Sequence, residues 1–293
     1  MNNSPIQTPE LIHSPKEIRA KVVAAQKSGL TVGFVPTMGA LHEGHLSLAG
    51  RAAAECDVTV VSIFVNPTQF GPSEDFSKYP RTLDSDIELL SHYHPVWVFA
   101  PEAADMYPPG MSTVVSPPRV SSPLEGVSRP THFAGVATVV LKLLNMVPAD
   151  IAYFGQKDYQ QACVIRQMVI DLDVATRIAV CPIVRDDDGL AMSSRNRYLT
   201  PAERTAALSI SRSLRVATER LEAGDRDAES IAAGMRAEMH AAGIREIDYA
   251  ILANPQTLET LQTATDTVVI LIAARVGGTR LIDNCVVSLS PTE

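Results

Sequence analysis

Val58 to Val65 reads Val-Thr-Val-Val-Ser-Ile-Phe-Val, eight residues whose only polar groups are two small hydroxyls. A strand without polar alternation is buried on both faces, and such strands belong to parallel sheets covered by helices on each side. The neighbouring pattern agrees. A second apolar run, Leu30 to Val35, reads as a strand, and a helical pattern from near His45 to about Glu55 carries Leu46, Leu48, Ala49, Ala52 and Ala53. Ser14-Pro15-Lys16-Glu17 is a helix start: Ser14 caps, Pro15 sits in the first turn, and Glu17 follows the cap by three. Ile18, Val22 and Val23 give that helix its apolar face, and Gly29 stops it. A helix over Leu83 to Ser91, a strand over Val96 to Ala100, a helix over Gly135 to Val147, a strand over Ile151 to Phe154, a helix over Tyr159 to Leu172 and a strand over Arg177 to Val184 follow. Strands alternating with helices predict an α/β protein with a Rossmann-like, doubly wound parallel sheet.

Two stretches depart from the alternation. Between Pro101 and Pro130 the chain is dense in proline, which predicts a long surface excursion with a short strand at Thr113 to Val115. Beyond Arg185 come a turn at Asp186-Asp187-Asp188-Gly189 and two alanine- and arginine-rich helices, Pro201 to Ala223 and Ala228 to Ala242. Strands at Ile247 to Leu252, Thr267 to Ala274 and Leu281 to Ser288 complete the chain. We read residues 1–184 as a Rossmann-like domain and 185–293 as a smaller C-terminal α+β domain.

The net charge of -8 argues against a general nucleic-acid binder, which needs a basic face. Cys56, Cys163, Cys181 and Cys285 are far apart, with no C-x-x-C pair, as expected of free thiols in a reducing compartment. The opening MNNSPIQTPE lacks the basic and apolar regions of a signal peptide, and no apolar run approaches the roughly 20 residues of a membrane helix. These features predict a cytoplasmic protein.

The chemistry concentrates where strands end. Pro36-Thr37-Met38-Gly39-Ala40-Leu41-His42-Glu43-Gly44-His45 joins the first predicted strand to a helix start. Backbone N–H groups there are unpaired and the helix dipole is positive, which suits a phosphate. Gly39 and Gly44 permit close approach of a ligand. His42 and His45, three apart, share a helical face and could stabilise charge growing on an α-phosphate. A zinc pair and a purely structural cap are the other readings, but metalloprotease histidines stand four apart, and the P-loop pattern is absent here.

Asn66-Pro67-Thr68-Gln69 runs off the second predicted strand, where open α/β sheets bind ligands. Asn66 and Gln69 could offer neutral donors and acceptors to a small polar substrate, against an Asx-type turn as the plain alternative. Gly155-Gln156-Lys157-Asp158 again joins a strand end to a helix start: Lys157 suits an ATP phosphate, and Asp158 a helix cap or a ribose hydroxyl. Met192-Ser193-Ser194-Arg195 lies at the domain junction, and two hydroxyls with a guanidinium can bind a triphosphate and departing pyrophosphate. A serine-rich linker is the alternative.

His-x-x-Gly-His after a first strand resembles the signature of the nucleotidylyltransferase superfamily, and the longer string PTMGALHEGHLSL is similar to the pantothenate synthetase (pantoate–β-alanine ligase) family. The resemblance spans about Thr31 to Asn284 with at least four ordered motifs. It implies ATP-dependent condensation of pantoate with β-alanine through a pantoyl adenylate, releasing pyrophosphate and then AMP. It implies Mg²⁺ held mainly by the ATP phosphates, with no protein metal ligands, and a homodimer. The substrate supplies the attacking oxygen, so the protein positions reactants and stabilises charge.

By resemblance, Met38, Gly39, His42, Gly44, His45, Gly155, Lys157, Asp158, Val184, Met192, Ser193, Ser194 and Arg195 bind ATP, with Val184 contacting adenine through its backbone. His42, His45, Lys157 and Arg195 are the catalytic set, with His45 the favoured proton donor. Asn66, Gln69 and Gln161 hold pantoate and β-alanine. Three positions depart from the family pattern: Thr68 stands where methionine is frequent, Gln156 replaces a glutamate, and Ala134 an arginine. Asp84 and Asp86 are candidates to approach metal-bound phosphates. An adenylyltransferase of the same superfamily, or a non-catalytic nucleotide-binding regulator, would share the first motif but differ in products.

Overall fold

A computed structural model of the chain describes residues 8–71, 76–93 and 95–289. The segment read for a leader lies, through residue 7, outside the described residues. The chain forms two compact units. The first comprises residues 1–121, 129–155 and 161–182; the second comprises 122–128, 156–160 and 183–293. The chain therefore passes between them five times rather than at one cut near residue 184.

The first unit is built on β1 (Glu10–Ile12), β2 (Val32–Thr37), β3 (Val58–Ile63), β4 (Val96–Phe99), β5 (Ile151–Gly155) and β6 (Arg177–Cys181), in the spatial order β1-β4-β3-β2-β5-β6. All the pairings are parallel. Its helices are α1 (Pro15–Lys27), α2 (Glu43–Glu55), α3 (Leu83–Leu90), the short α4 (Ala103–Met106), α6 (His132–Met146) and α7 (Tyr159–Asp171). The one-turn α5 (Glu125–Ser128) and the first two residues of α7 fall in the second unit.

Successive strand residues serve opposite faces, which is why the strands carry no polar alternation. Phe34 and Val60 join one core with Ile18 of α1, Val140 of α6 and Ile165 of α7. Val35 and Val61 join another with Leu46 of α2 and Leu90 of α3. The doubly wound sheet is therefore observed, with the strand order reversing between β2 and β5.

Three elements differ from expectation. β1 is an additional edge strand of three residues, too short to show a period, paired with β4. The short strand expected at Thr113 to Val115 does not form. Val115 instead donates its N–H to the Thr138 hydroxyl at 3.0 Å, so a side chain satisfies the group a ladder would have used. α6 also begins three residues before the glycine expected to open it.

The second unit packs α8 (Pro201–Glu222) and α9 (Ala228–Ala241) against an antiparallel sheet of β7 (Glu246–Ala253), β8 (Thr267–Val276) and β9 (Thr279–Ser288). Thr200 and Glu203 form a capping box at the start of α8. Residues 122–128 are bound into this unit by a buried ion pair. Glu125 accepts two bonds from Arg280 (2.7 and 2.6 Å) and one from the Tyr249 hydroxyl at 2.8 Å. Gln160 ties the first half of the segment, accepting from Glu125 N–H at 3.0 Å and donating to Pro123 O at 2.7 Å. Among the described residues no helix is long and apolar enough to cross a membrane.

Candidate active site

The signature stretch leaves β2 at the point where the strand order reverses, the place where open α/β sheets bind ligands. Thr37 ends the strand and donates its hydroxyl to Ser62 O of β3 at 2.7 Å, while accepting Gly39 N–H at 3.1 Å. The chain then turns through two left-handed residues, Gly39 (φ +79°) and Ala40 (φ +50°). For alanine that conformation is strained, and it persists only where its surroundings impose it. Asp86, buried on α3, imposes it: its carboxylate accepts Ala40 N–H at 3.0 Å, Leu41 N–H at 2.8 Å and the Thr82 hydroxyl at 3.2 Å. Burial pushes the Asp86 carboxyl up despite those bonds. Asp86 is thus a brace beneath the turn, while Asp84 lies exposed in the first turn of α3.

His42 caps α2, its Nδ1 accepting Gly44 N–H at 3.1 Å. That role puts the proton of the neutral ring on Nε2. His45 lies one turn along with its ring centroid 4.1 Å from that of His42. Both imidazoles therefore stand at the N-terminus of a 13-residue helix, where the dipole favours an anion. Gly155 ends β5, and a Cβ there would meet nothing within 4 Å, so the backbone is open to a close neighbour.

Asn66 is 1% exposed and its amide is fully engaged. Its Nδ2 donates to Gln69 Oε1 (3.1 Å) and Gly135 O (3.3 Å). Its Oδ1 accepts from the hydroxyls of Tyr107 (2.6 Å) and Thr68 (3.0 Å) and from Thr68 N–H (3.3 Å). Asn66 therefore orients Gln69, and the threonine at 68 supplies a hydroxyl that methionine would lack. Gln69 in turn donates Nε2 to Met38 Sδ at 3.0 Å, joining the loops after β2 and β3.

Three residues beneath Gln69 belong to the stretch Arg129 to Gly135, which resembles a family segment but in which the sequence gives these three no role. The His132 ring sits 2.9 Å from Gln69 O, and Arg129 approaches both His132 Nε2 (3.1 Å) and Gln69 O (3.4 Å). Arginine can only donate, so His132 accepts at Nε2 and donates from Nδ1. Gly135 lets α6 press onto the turn: a Cβ there would fall 2.3 Å from Thr68 O. Gln161 is half-buried at the third position of α7.

The remaining expected residues belong to the second unit. Lys157 and Asp158 occupy a 3-10 turn, Nζ to carboxylate 3.8 Å. Asn284 of β9 donates to the carbonyls of Gln156 (3.0 Å) and Lys157 (2.9 Å) and accepts from Gln156 Nε2 (3.2 Å), a bond that a glutamate could not donate. Val184 O accepts Met192 N–H at 3.0 Å. Ser193 caps the 3-10 turn Ser194–Tyr198 by accepting Arg195 N–H at 3.3 Å. Arg204 bonds Asp186 and Asp188 at the base of this loop, and Arg185 makes a bidentate pair with buried Asp283 (2.7 and 3.0 Å).

Residues 10–286 match the pantoate-beta-alanine ligase family. The chain belongs to that family. A pantothenate synthetase of Roseiflexus sp. (strain RS-1) is 53% identical over 87% of this chain and 92% of its own. One from Moorella thermoacetica is 49% identical over 96% and 99%. The crystal structure of pantothenate synthetase from Thermus thermophilus superposes with a TM-score of 0.88 at 40% identity, covering 94% and 98% of the two chains. A pantoate-β-alanine ligase from Francisella tularensis, complexed with β-γ ATP and β-alanine, gives 0.76 at 36% identity over 94% and 97%.

Proposed function

We propose that the chain condenses pantoate with β-alanine in two steps at the expense of ATP. In the first, a pantoate carboxylate oxygen attacks the α-phosphorus, the bond to the β-phosphate oxygen breaks, and pyrophosphate leaves. In the second, the β-alanine amine attacks the carbonyl of the pantoyl adenylate, AMP leaves, and the amine gives up a proton. The observation that carries the reading is the His42–His45 pair at the start of α2, above the strand reversal.

Each half of the residue set has its task. Met38, Gly39, Gly44 and Gly155 give the nucleotide room and N–H donors. His42, with its proton on Nε2, can donate to a phosphate oxygen without carrying a full charge, and His45 stands beside it as proton donor. Gln69 and Gln161 orient pantoate with neutral amides, which hold an anion without pairing it to a cation that would blunt its attack. Asn66 acts through Gln69 rather than on the substrate. Lys157, Asp158, Val184, Met192, Ser193, Ser194 and Arg195 reach ATP from the second unit, which serves as a lid. Mg²⁺ would arrive with ATP, since Mg²⁺ commonly keeps waters and phosphate oxygens as ligands. Its charge would offset that of the triphosphate. The family reading also implies a cytoplasmic homodimer.

Rapid-quench kinetics of the separate half-reactions tests this. Lys157 meets charge that is present only while pyrophosphate is leaving, so Lys157→Ala slows adenylation by about 10²–10³. The same variant consumes supplied pantoyl adenylate and β-alanine with much less loss. Equal slowing of both steps refutes the assignment. Formation of a dinucleotide in place of AMP refutes the ligase reading itself.

A further inference from the structure

We propose that Asn284 is a positioning residue for adenylate formation: from β9 it fixes the turn that carries Lys157 and holds the lysine in register with the loop that carries Arg195. The inference rests on the reading of Lys157 as a phosphate ligand.

Lys157 follows β5 by two residues, yet its turn groups with the second unit. The bonds explain why. Asn284 is 2% exposed, and both its amide hydrogens go to backbone carbonyls of that turn, those of Gln156 and Lys157. Its oxygen takes the Gln156 amide. Both amide hydrogens are spent on the backbone under Lys157, so the asparagine has no N–H left to offer a ligand. A second bond chain leads from the same place to the other phosphate-binding segment. Asn284 N–H donates to Asp283 Oδ1 at 2.8 Å, and Asp283 forms the bidentate pair with Arg185. Arg185 also donates to Gly189 O at 3.2 Å, and the loop it anchors runs on to Ser193 and Arg195. The dipeptide Asp283-Asn284 thus pins both segments to one strand, although they are some 30 residues apart in sequence. Two fixed contacts on a developing charge act together only if their spacing is held.

The test combines Asn284→Ala and Asn284→Asp with Lys157→Ala. The aspartate keeps the size and the acceptor but loses the N–H donors. Pantoate-dependent exchange of pyrophosphate into ATP reads adenylation, and consumption of supplied pantoyl adenylate reads the second step. Acylation of Lys157 by an amine-reactive ester, measured by mass spectrometry relative to Lys142, reads its placement without reference to activity. Both Asn284 variants are expected to slow exchange about tenfold, the effect of losing one or two net hydrogen bonds, with the pantoate KM and the second step unchanged. Lys157 is expected to label faster. In the Lys157→Ala background, Asn284→Ala should cost nothing further. An equal further loss there, or unchanged labelling, overturns the proposal. If Lys157→Ala itself leaves exchange intact, the phosphate reading fails, and the labelling alone decides whether Asn284 places the lysine. Gln156→Ala removes a single bond to Asn284 and should move the same readouts less. It replaces the Asn284 variants if these do not fold.

Discussion

Replacing Gly135 with alanine tests the platform under the turn that carries Thr68 and Gln69. In a helix interior the change by itself stabilises by about 0.5–1 kcal/mol. Here the new Cβ would lie 2.3 Å from Thr68 O, 2.6 Å from Thr68 C and 2.8 Å from Gln69 Cα. Ordinary carbon–oxygen contacts start near ~3.3 Å, so the turn or the helix must retreat by about 1 Å. All three atoms are backbone, so no rotamer change relieves the overlap. Overpacking of this kind costs about 1–3 kcal/mol, which outweighs the helix gain. The retreat also stretches the Asn66 bond to Gly135 O, which helps to orient Gln69. A misplacement of about 1 Å in a positioning group can cost on the order of 10²-fold in rate. Gly135→Ala should therefore lower kcat/KM for pantoate by about that factor. The ATP KM should stay near the parent value. Steady-state kinetics with each substrate varied, beside a thermal melt, measures both effects. Gly278→Ala is the control, since its Cβ would meet nothing within 4 Å. Parent-like pantoate kinetics in Gly135→Ala, or an equal rise in the ATP KM, would refute the reasoning.

Other outcomes follow from the same contacts. Burial raises the Asp86 carboxyl above its unfolded value, so its contribution to stability is full at low pH and is lost as pH rises through the raised value. Asp86→Asn, which loses one N–H acceptor, should destabilise most at low pH, and its penalty should shrink as pH rises across that window. Melts of both proteins across the acid range would show this, and a pH-independent difference would count against it. Glu125→Ala leaves Arg280 with Asp248 alone and the Tyr249 hydroxyl without its acceptor, and should cost about 1–3 kcal/mol, read by denaturant unfolding; a change under about 1 kcal/mol would mean solvent reaches the pair. Added ATP should slow protease cutting within residues 186–196 if the second unit closes on the nucleotide, and equal cutting would argue against a lid.

The parallel sheet could be read from Val58 to Val65 because burial on both faces leaves a mark in every residue. The helix after Ser14 could be read because its cap is local. β1 could not, since three residues show no period and its pairing is with a strand more than 80 residues away. The same divide runs through the site. His42, His45 and Lys157 lie in contiguous motifs at strand ends. Asp86 looks in sequence like a candidate for the metal-bound phosphates, and only folding shows that it faces the backbone of residues 40 and 41. Asn66 looks like a ligand group, and Tyr107 and Gly135, 41 and 69 residues distant, turn it into a support. Chemical type is local information, while what a side chain spends its hydrogen bonds on is not.

The ion pair between Glu125 and Arg280 sets an order of events during synthesis. The two residues are 155 positions apart. A ribosome adding about 5–20 residues per second needs on the order of 8–30 s to make the second after the first. Within that interval the six-stranded sheet is completed at Cys181 and can close, but residues 122–128 still have no β9 to bind. Glu125 then lacks its Arg280 partner until nearly the last strand emerges. A chain truncated before Arg280 would keep that segment exposed, where proteases could reach it, even with the whole six-stranded sheet already in place.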